Sequence, residues 1–152
     1  LINIRRATPG ESEDLTNIAT ESEAHWGGST EFLERFRELY RVTVSFIKDN
    51  PTYVLEEDGE IMGFYGVVVG KDVSELEYLY VKACCIGKGY GRMLWEHLEK
   101  QCRELGIAQL ELVTSPEAKS FYIKMGAVEL SMVESIAQNG RMIPKLSYMV
   151  KA

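Results

Sequence analysis

The stretch IGKGYGRMLWEHL, residues 86–98, places Gly87, Gly89 and Gly91 within five positions, directly ahead of a segment whose apolar spacing predicts a helix. A simple turn needs one glycine. Three in this arrangement leave backbone N–H groups uncovered and let a ligand approach the chain, and the start of a helix adds the positive end of its dipole. The chemistry open to these residues is capture of an anion, with Lys88 and Arg92 as flanking cations. The glycine spacing is not the Gly-x-Gly-x-x-Gly of a dinucleotide loop, and the Lys-Ser/Thr pair of a P-loop is missing. Just upstream, SELEYLYV carries Glu75 and Glu77 two positions apart. On a strand that spacing puts both carboxylates on one face, which Leu79 and Val81 continue. Cys84 and Cys85 suggest a nucleophile, but the histidine and carboxylate partners it needs cannot be placed from sequence. A zinc site is not expected, since His25 and His97 have no Cys-x-x-Cys to accompany them.

The elements that must hold these residues follow from periodicity. INIRRA alternates as a strand, and a helix follows with Leu15, Ile18 and Ala19 on one side. Gly27 and Gly28 break it before a second helix with Phe32, Leu33, Phe36 and Leu39 as its apolar face. The stretch from Tyr40 to Asn50 fits a strand or a short helical turn equally well. TYVLEEDGEIMGFYGVVV is a hairpin around Asp58-Gly59, and SELEYLYV is another strand. The glycine loop then leads into a helix with Leu94, Leu98, Cys102 and Leu105 along one side, ended by Gly106. AQLELVT is a strand, EAKSFYIKM a short helix, and AVELSMVES and IPKLSYMV two last strands. Such an order fits one α/β or α+β sheet with helices packed on it. No repeat or linker is visible, so a single domain over residues 1–152 is expected.

Composition narrows the partners. A formal charge of −6 argues against bulk attraction to nucleic acid or an anionic membrane, though not against a local site for one phosphorylated small molecule. No apolar run is long enough to span a bilayer, and the first residues lack the basic start and apolar core of a signal peptide. Three cysteines, two of them adjacent, make no disulfide framework, so a reducing, cytoplasmic setting is expected.

The wider stretch LYVKACCIGKGYGRMLWEHL resembles the signature of the Gcn5-related N-acetyltransferase (GNAT) family, Gln/Arg-x-x-Gly-x-Gly/Ala after a central strand. Gly89 and Gly91 fall on the two glycines, while Ile86 stands at the Gln/Arg position. A second segment, SPEAKSFYIKMGAVEL, is similar to the family's Asn-x-x-Ala-x-x-Phe-Tyr-x-Lys-x-Gly-Phe run. Ala118, Phe121, Tyr122, Lys124 and Gly126 match, and Glu117 and Ala127 depart. The order of elements agrees along nearly the whole chain.

The resemblance implies the acyl-CoA N-acyltransferase fold, a single mixed, mostly antiparallel central sheet flanked by helices. It also implies acetyl transfer from acetyl-CoA to a primary amine by direct attack. Gly87, Lys88, Gly89, Tyr90, Gly91 and Arg92 would hold the pyrophosphate, and Leu79 and Val81 would pair with the pantetheine arm and supply an oxyanion donor. Glu117, Lys119 and Phe121 join the cofactor set, and Tyr122 takes the place of the tyrosine that protonates the departing thiolate. Glu75 and Glu77 stand at positions that different relatives use for the base. The first two helices and the late loop would set the acceptor: Glu21 and Glu23 suit an amine or are plain helix surface, His25 and Trp26 bind or only cap and pack, and Arg141 faces a substrate carboxylate or anchors a hairpin. The cysteines would be buried or half-buried near the cofactor entrance, and His97 structural. A homodimer through the last strands is compatible with this reading. Ile86 and Ala127 motivate an alternative, an acyl-CoA binding or sensor domain without chemistry.

Overall fold

The computed structural model describes residues 1–151. Seven strands form one sheet: β1 (Ile2–Arg6), β2 (Thr52–Glu57), β3 (Glu60–Val68), β4 (Ser74–Val81), β5 (Gln109–Val113), β6 (Val128–Glu134) and β7 (Met142–Met149). Their spatial order is β1-β2-β3-β4-β5-β7-β6, and every neighbouring pair is antiparallel except β4 and β5. Five α-helices cover it: α1 (Ser12–His25), α2 (Thr30–Leu39), α3 (Val44–Asp49), α4 (Tyr90–Leu105) and α5 (Lys119–Lys124). The ambiguous segment after Tyr40 is α3. Thr43 starts it by accepting the Phe46 N–H at 3.0 Å, a local cap that outweighs the alternation of Val42, Val44 and Phe46.

Strand alternation sends neighbouring residues to opposite faces, and each face has its own core. Leu55 and Tyr65 point to the side packed by Leu94, Trp95, Leu98 and Cys102 of α4. Val54 and Phe64 point to the side packed by Leu15, Ile18 and Ala19 of α1 and by Phe32 and Phe36 of α2. A leucine buried as completely as Leu94 or Leu98 contributes about 2 kcal/mol by leaving water. Two expected core positions are corrected. Leu39 and Leu105 are exposed, each being the last residue of its helix.

Two irregularities in β4 shape everything that follows. Gly66 pairs with Tyr78, yet the next residue, Val67, pairs with Leu76, so Glu77 is an extra residue in a β-bulge. The bulge resets the alternation: Leu76 belongs to the α4 side and Tyr78 to the α1/α2 side. Glu75, Glu77, Leu79 and Val81 therefore do not share one face, as period-two spacing predicts; Leu79 and Val81 follow Leu76 to the α4 side. The second irregularity is the pairing of β4 with β5, which stops after Ser74 with Leu110 and Glu75 with Glu111. Beyond that point β4 follows β3 while β5 follows β7, and the sheet splits. At the far edge, β6 exposes Val128, Leu130 and Met132.

Candidate active site

The split between β4 and β5 opens a cavity of about 720 Å³, lined from both faces of the sheet. That volume suits a small-molecule site. One wall comes from the end of β4 with Cys85, Ile86, Gly87, Gly89, Gly91 and Arg92. The opposite wall is Thr114 to Glu117 with α5, including Phe121 and Tyr122. The ends of α1 and α2 and the segment joining β6 to β7 close the third side.

The glycine loop leaves its backbone donors open. Gly89, at the N-cap of α4, has φ of +91° and offers no side chain to its first turn. A residue with a Cβ is strained there. The N–H groups of Gly87, Gly89, Tyr90, Gly91 and Arg92 meet no protein acceptor among the described residues; the first bond into the helix is Met93 N–H to the Gly89 carbonyl, at 3.2 Å. A helix of this length that leaves those donors uncapped is ready for an anion. Gly91 does a second job, since a Cβ on it would lie 3.1 Å from the Phe121 ring. Its absence lets α4 and α5 close around the cavity.

Tyrosine hydroxyls divide by location. Those of Tyr53, Tyr65, Tyr78, Tyr90 and Tyr148 bond Gln101, His97, the Arg41 carbonyl, Glu57 and Glu99. Those of Tyr40, Tyr80 and Tyr122 have no protein partner among the described residues, and all three line the cavity. Burial raises the pKa of each, and the charge of Glu23 adds to it. A phenol in that state keeps its proton and presents it to the cavity. Glu23 and Glu77 are themselves shifted upward, mainly by burial; Glu117 adds to the first against Arg141, and Glu75 adds to the second.

A model of the acetyltransferase (GNAT) family matches residues 13–127. The chain belongs to that family. Its fold recurs in the PaiA N-acetyltransferase of Thermoplasma acidophilum in complex with coenzyme A, with a TM-score of 0.83 and 21% identity over 98% of this chain and 99% of that one. The ribosomal-protein-S18-alanine N-acetyltransferase of Escherichia coli shares it at a TM-score of 0.74 and 17% identity, over 100% and 96% of the two chains. N-acetylglutamate synthase of Neisseria gonorrhoeae, complexed with coenzyme A and N-acetyl-glutamate, matches all of this chain with 36% of its own, at a TM-score of 0.72 and 21% identity. At these identities the likeness is one of fold. In sequence, the uncharacterized protein YxbD of Bacillus subtilis (strain 168) is 28% identical over 97 residues, 61% of this chain and 60% of that protein.

Within this GNAT fold the residues singled out from sequence are brought together unevenly. Leu79, Val81, Gly87, Gly89, Gly91, Arg92, Glu117, Phe121, Tyr122, Glu75 and Glu77 all line the one cavity. Lys88, Tyr90 and Lys119 do not. The Tyr90 hydroxyl turns away to Glu57 at 2.5 Å, and Lys119 pairs with Glu129 at 2.5 Å. Glu117 is tied to Arg141 at 3.6 Å. His97 holds the Tyr65 hydroxyl at 2.8 Å, outside the cavity, and burial lowers its pKa. Cys85 is buried in the cavity wall, while Cys84 beside it is exposed, their sulfurs 2.9 Å apart. Sequence reasoning missed Tyr40, Tyr80, Phe32 and Phe36 as cavity residues. The i, i+4, i+8 spacing of Phe32, Phe36 and Tyr40 was the available signal, and it reads equally as core. No helix among the described residues is long and apolar enough to cross a membrane, and no group of three or more His, Cys, Asp or Glu among them could hold a metal ion.

Proposed function

We propose that the chain transfers an acetyl group from acetyl-CoA to a primary amine, the amine attacking the thioester directly. The observation that carries this reading is the meeting, in one cavity, of the uncapped N–H groups at the start of α4 with the unpartnered Tyr122 hydroxyl. Family membership and the fold shared with proteins that hold coenzyme A support it.

Acetyl-CoA supplies a thioester carbonyl open to a nucleophile and a thiolate that can leave. Backbone donors from Gly87 to Arg92 hold its pyrophosphate, with Arg92 adding a cation in the cavity wall. Past Glu75 the β5-facing edge of β4 is unpaired, so the backbone around Leu79 and Val81 can bond an extended pantetheine arm as a missing strand would. An N–H on that edge faces the developing oxyanion. Glu117 and Phe121 border the same arm from the α5 wall, while Lys88, Tyr90 and Lys119 contribute at most through their backbone or at the mouth. The acceptor nitrogen gives up its proton to a cavity carboxylate. Those without an ion pair among the described residues are Glu75 and Glu77 on β4 and Glu23 on α1. Tyr122, kept protonated by burial, returns a proton to the thiolate.

The test is a calorimetric titration of the purified protein with acetyl-CoA, followed by a thiol-release assay on a panel of primary amines. Binding and release are expected. Absence of binding would sink the cofactor assignment, and binding with no release on any amine would favour a sensor.

A further inference from the structure

The acceptor side of the cavity has a chemistry of its own. Phe32 and Phe36 follow one another down α2 and Tyr40 caps its end, with Phe36 and Tyr40 stacked at 4.8 Å and Phe32 tilted against Phe36 at 6.2 Å. Tyr80 meets Phe36 edge-on at 6.3 Å. Trp26, at the end of α1, lines the same space while remaining 42% exposed, which places an indole at its lip. Charges are distributed just as unevenly. Arg141 is taken by Glu117 at 3.6 Å and Lys145 by Glu111 at 3.2 Å. The other cavity cations, Arg92 and Lys124, stand on α4 and α5. On the acceptor side Arg141 also lies over the Phe32 ring at 5.5 Å and faces Glu23, yet Glu23, Glu75 and Glu77 together with Glu111 and Glu117 outnumber Arg141 and Lys145, so this side stays acidic. Of these, Glu23 is the carboxylate whose charge is felt at Tyr122, whereas that of Glu77 is felt at Tyr40 and Tyr78. Glu23 also lines the space beside Trp26 and Phe32, at the ring-bearing end of the cavity that Tyr122 enters from the other wall.

We propose that Glu23 binds the ammonium of the acceptor and takes its first proton, and that the acceptor is a primary amine with an apolar, ring-bearing body and no carboxylate. This rests on the acetyl-transfer reading above. The body lies along Phe32, Phe36 and Tyr40, whose ring faces favour both apolar surface and a nearby cation. An acceptor carboxylate would meet an excess of anions on its side of the split, where the nearest cation, Arg141, is already shared with Glu117. The protons balance. Of the three on the ammonium, one passes to Glu23 and on to solvent, freeing the lone pair that forms the N–C bond. As the C–S bond breaks, Tyr122 gives its proton to sulfur and is reprotonated by the second proton of the nitrogen, directly or through water. The third stays on the amide. Burial raises the Glu23 carboxyl toward the pH at which it can accept and release a proton, with Tyr40, Tyr80, Tyr122 and Glu117 facing it and Arg141 opposing the shift.

The experiment titrates 2-phenylethylamine into protein saturated with coenzyme A, then compares kcat/KM for 2-phenylethylamine, phenylalanine and 1,4-diaminobutane with acetyl-CoA. Phenylethylamine is expected to bind and to exceed each of the others by about 10-fold or more. Glu23→Gln is expected to lower its kcat/KM by on the order of 100-fold and to remove the acid limb of the pH profile. Asp14→Asn, exposed at the far end of the same helix and outside the cavity, serves as the control and should change nothing. Both variants should keep wild-type affinity for acetyl-CoA, which certifies their folding. Equal or better use of phenylalanine or diaminobutane overturns the acceptor class, and an unaltered Glu23→Gln overturns the role of Glu23. If coenzyme A binds but phenylethylamine does not bind the complex, the acceptor proposal falls alone. If coenzyme A itself does not bind, the acetyl-transfer reading falls with it.

Discussion

The two halves of the cavity are made in opposite ways. The half we propose for the cofactor uses main-chain atoms from one run of sequence, Gly87 to Arg92, at the start of a long helix left without a capping side chain. The acceptor half uses side chains from α1, α2, β4 and the β6–β7 connection, and the helix that brings most of its rings, α2, is capped in the ordinary way by Ser29 on the Phe32 N–H at 3.1 Å. Backbone donors present the same chemistry whatever the neighbouring side chains are, so the first half can serve one ligand across many sequences. Side chains are free to change, so the second half is where a particular acceptor is selected. Ser29 closes one helix start with its side chain and Gly89 leaves another open, which in the function proposed above makes the second the binding end.

Four measurements would break or sharpen that contrast. The largest effect belongs to Gly89→Glu, which puts a Cβ at φ of +91° and a carboxylate over the donors. Acetyl-CoA affinity should fall by at least about 100-fold in calorimetry, with the far-ultraviolet circular dichroism unchanged. Retained affinity would show that the N–H cradle does not hold the pyrophosphate. Next, Tyr122→Phe should lower kcat by about 100-fold and leave the KM for acetyl-CoA unaltered, since only a proton donor is removed. A matching rise in KM instead would assign the residue to packing against Trp95 and Phe121.

A smaller effect is expected in the pH profile of kcat/KM. Glu23 and Glu77 have raised pKa values, so each is protonated and unable to accept until the pH passes above the ordinary carboxylate range. Activity should therefore rise with pH along an acid limb displaced upward. Burial also raises Tyr122, so its proton stays on through neutral and mildly alkaline pH and the alkaline limb lies above the usual tyrosine value. An acid limb at the value of an exposed glutamate would remove buried carboxylates from the reaction. The smallest effect is that of Ser29→Ala, which should cost about 1 kcal/mol in urea unfolding and leave acetyl-CoA affinity alone. Weakened cofactor binding in that variant would mean the two halves are mechanically coupled.

Legibility in the sequence followed the same division. The glycine loop and the run around Tyr122 are each contiguous, so their residue types and spacing are visible without a fold, and so are the hairpin at Asp58-Gly59 and the helix stop at Gly106. The face assignment in β4 failed because one extra residue, Glu77, inverts the alternation, and a bulge leaves no mark in the pattern of residue types. Phe32 and Phe36 looked like core and are core, yet they also border the cavity; burial and lining are not exclusive.

What the sequence by itself determined is local: where the chain turns, which helix begins without a cap, and which short runs carry the family's pattern. Only the tertiary structure decided that β4 and β5 part after two paired residues, that Glu23 from the first helix and Tyr122 from the last line one cavity, and that the hydroxyls of three of the eight tyrosines meet no partner among the described residues. The physical reason is sequence distance. Bonds between near neighbours are set by residue type and dihedral preference, whereas the meeting of residues about a hundred positions apart depends on how two cores pack on opposite faces of one split sheet.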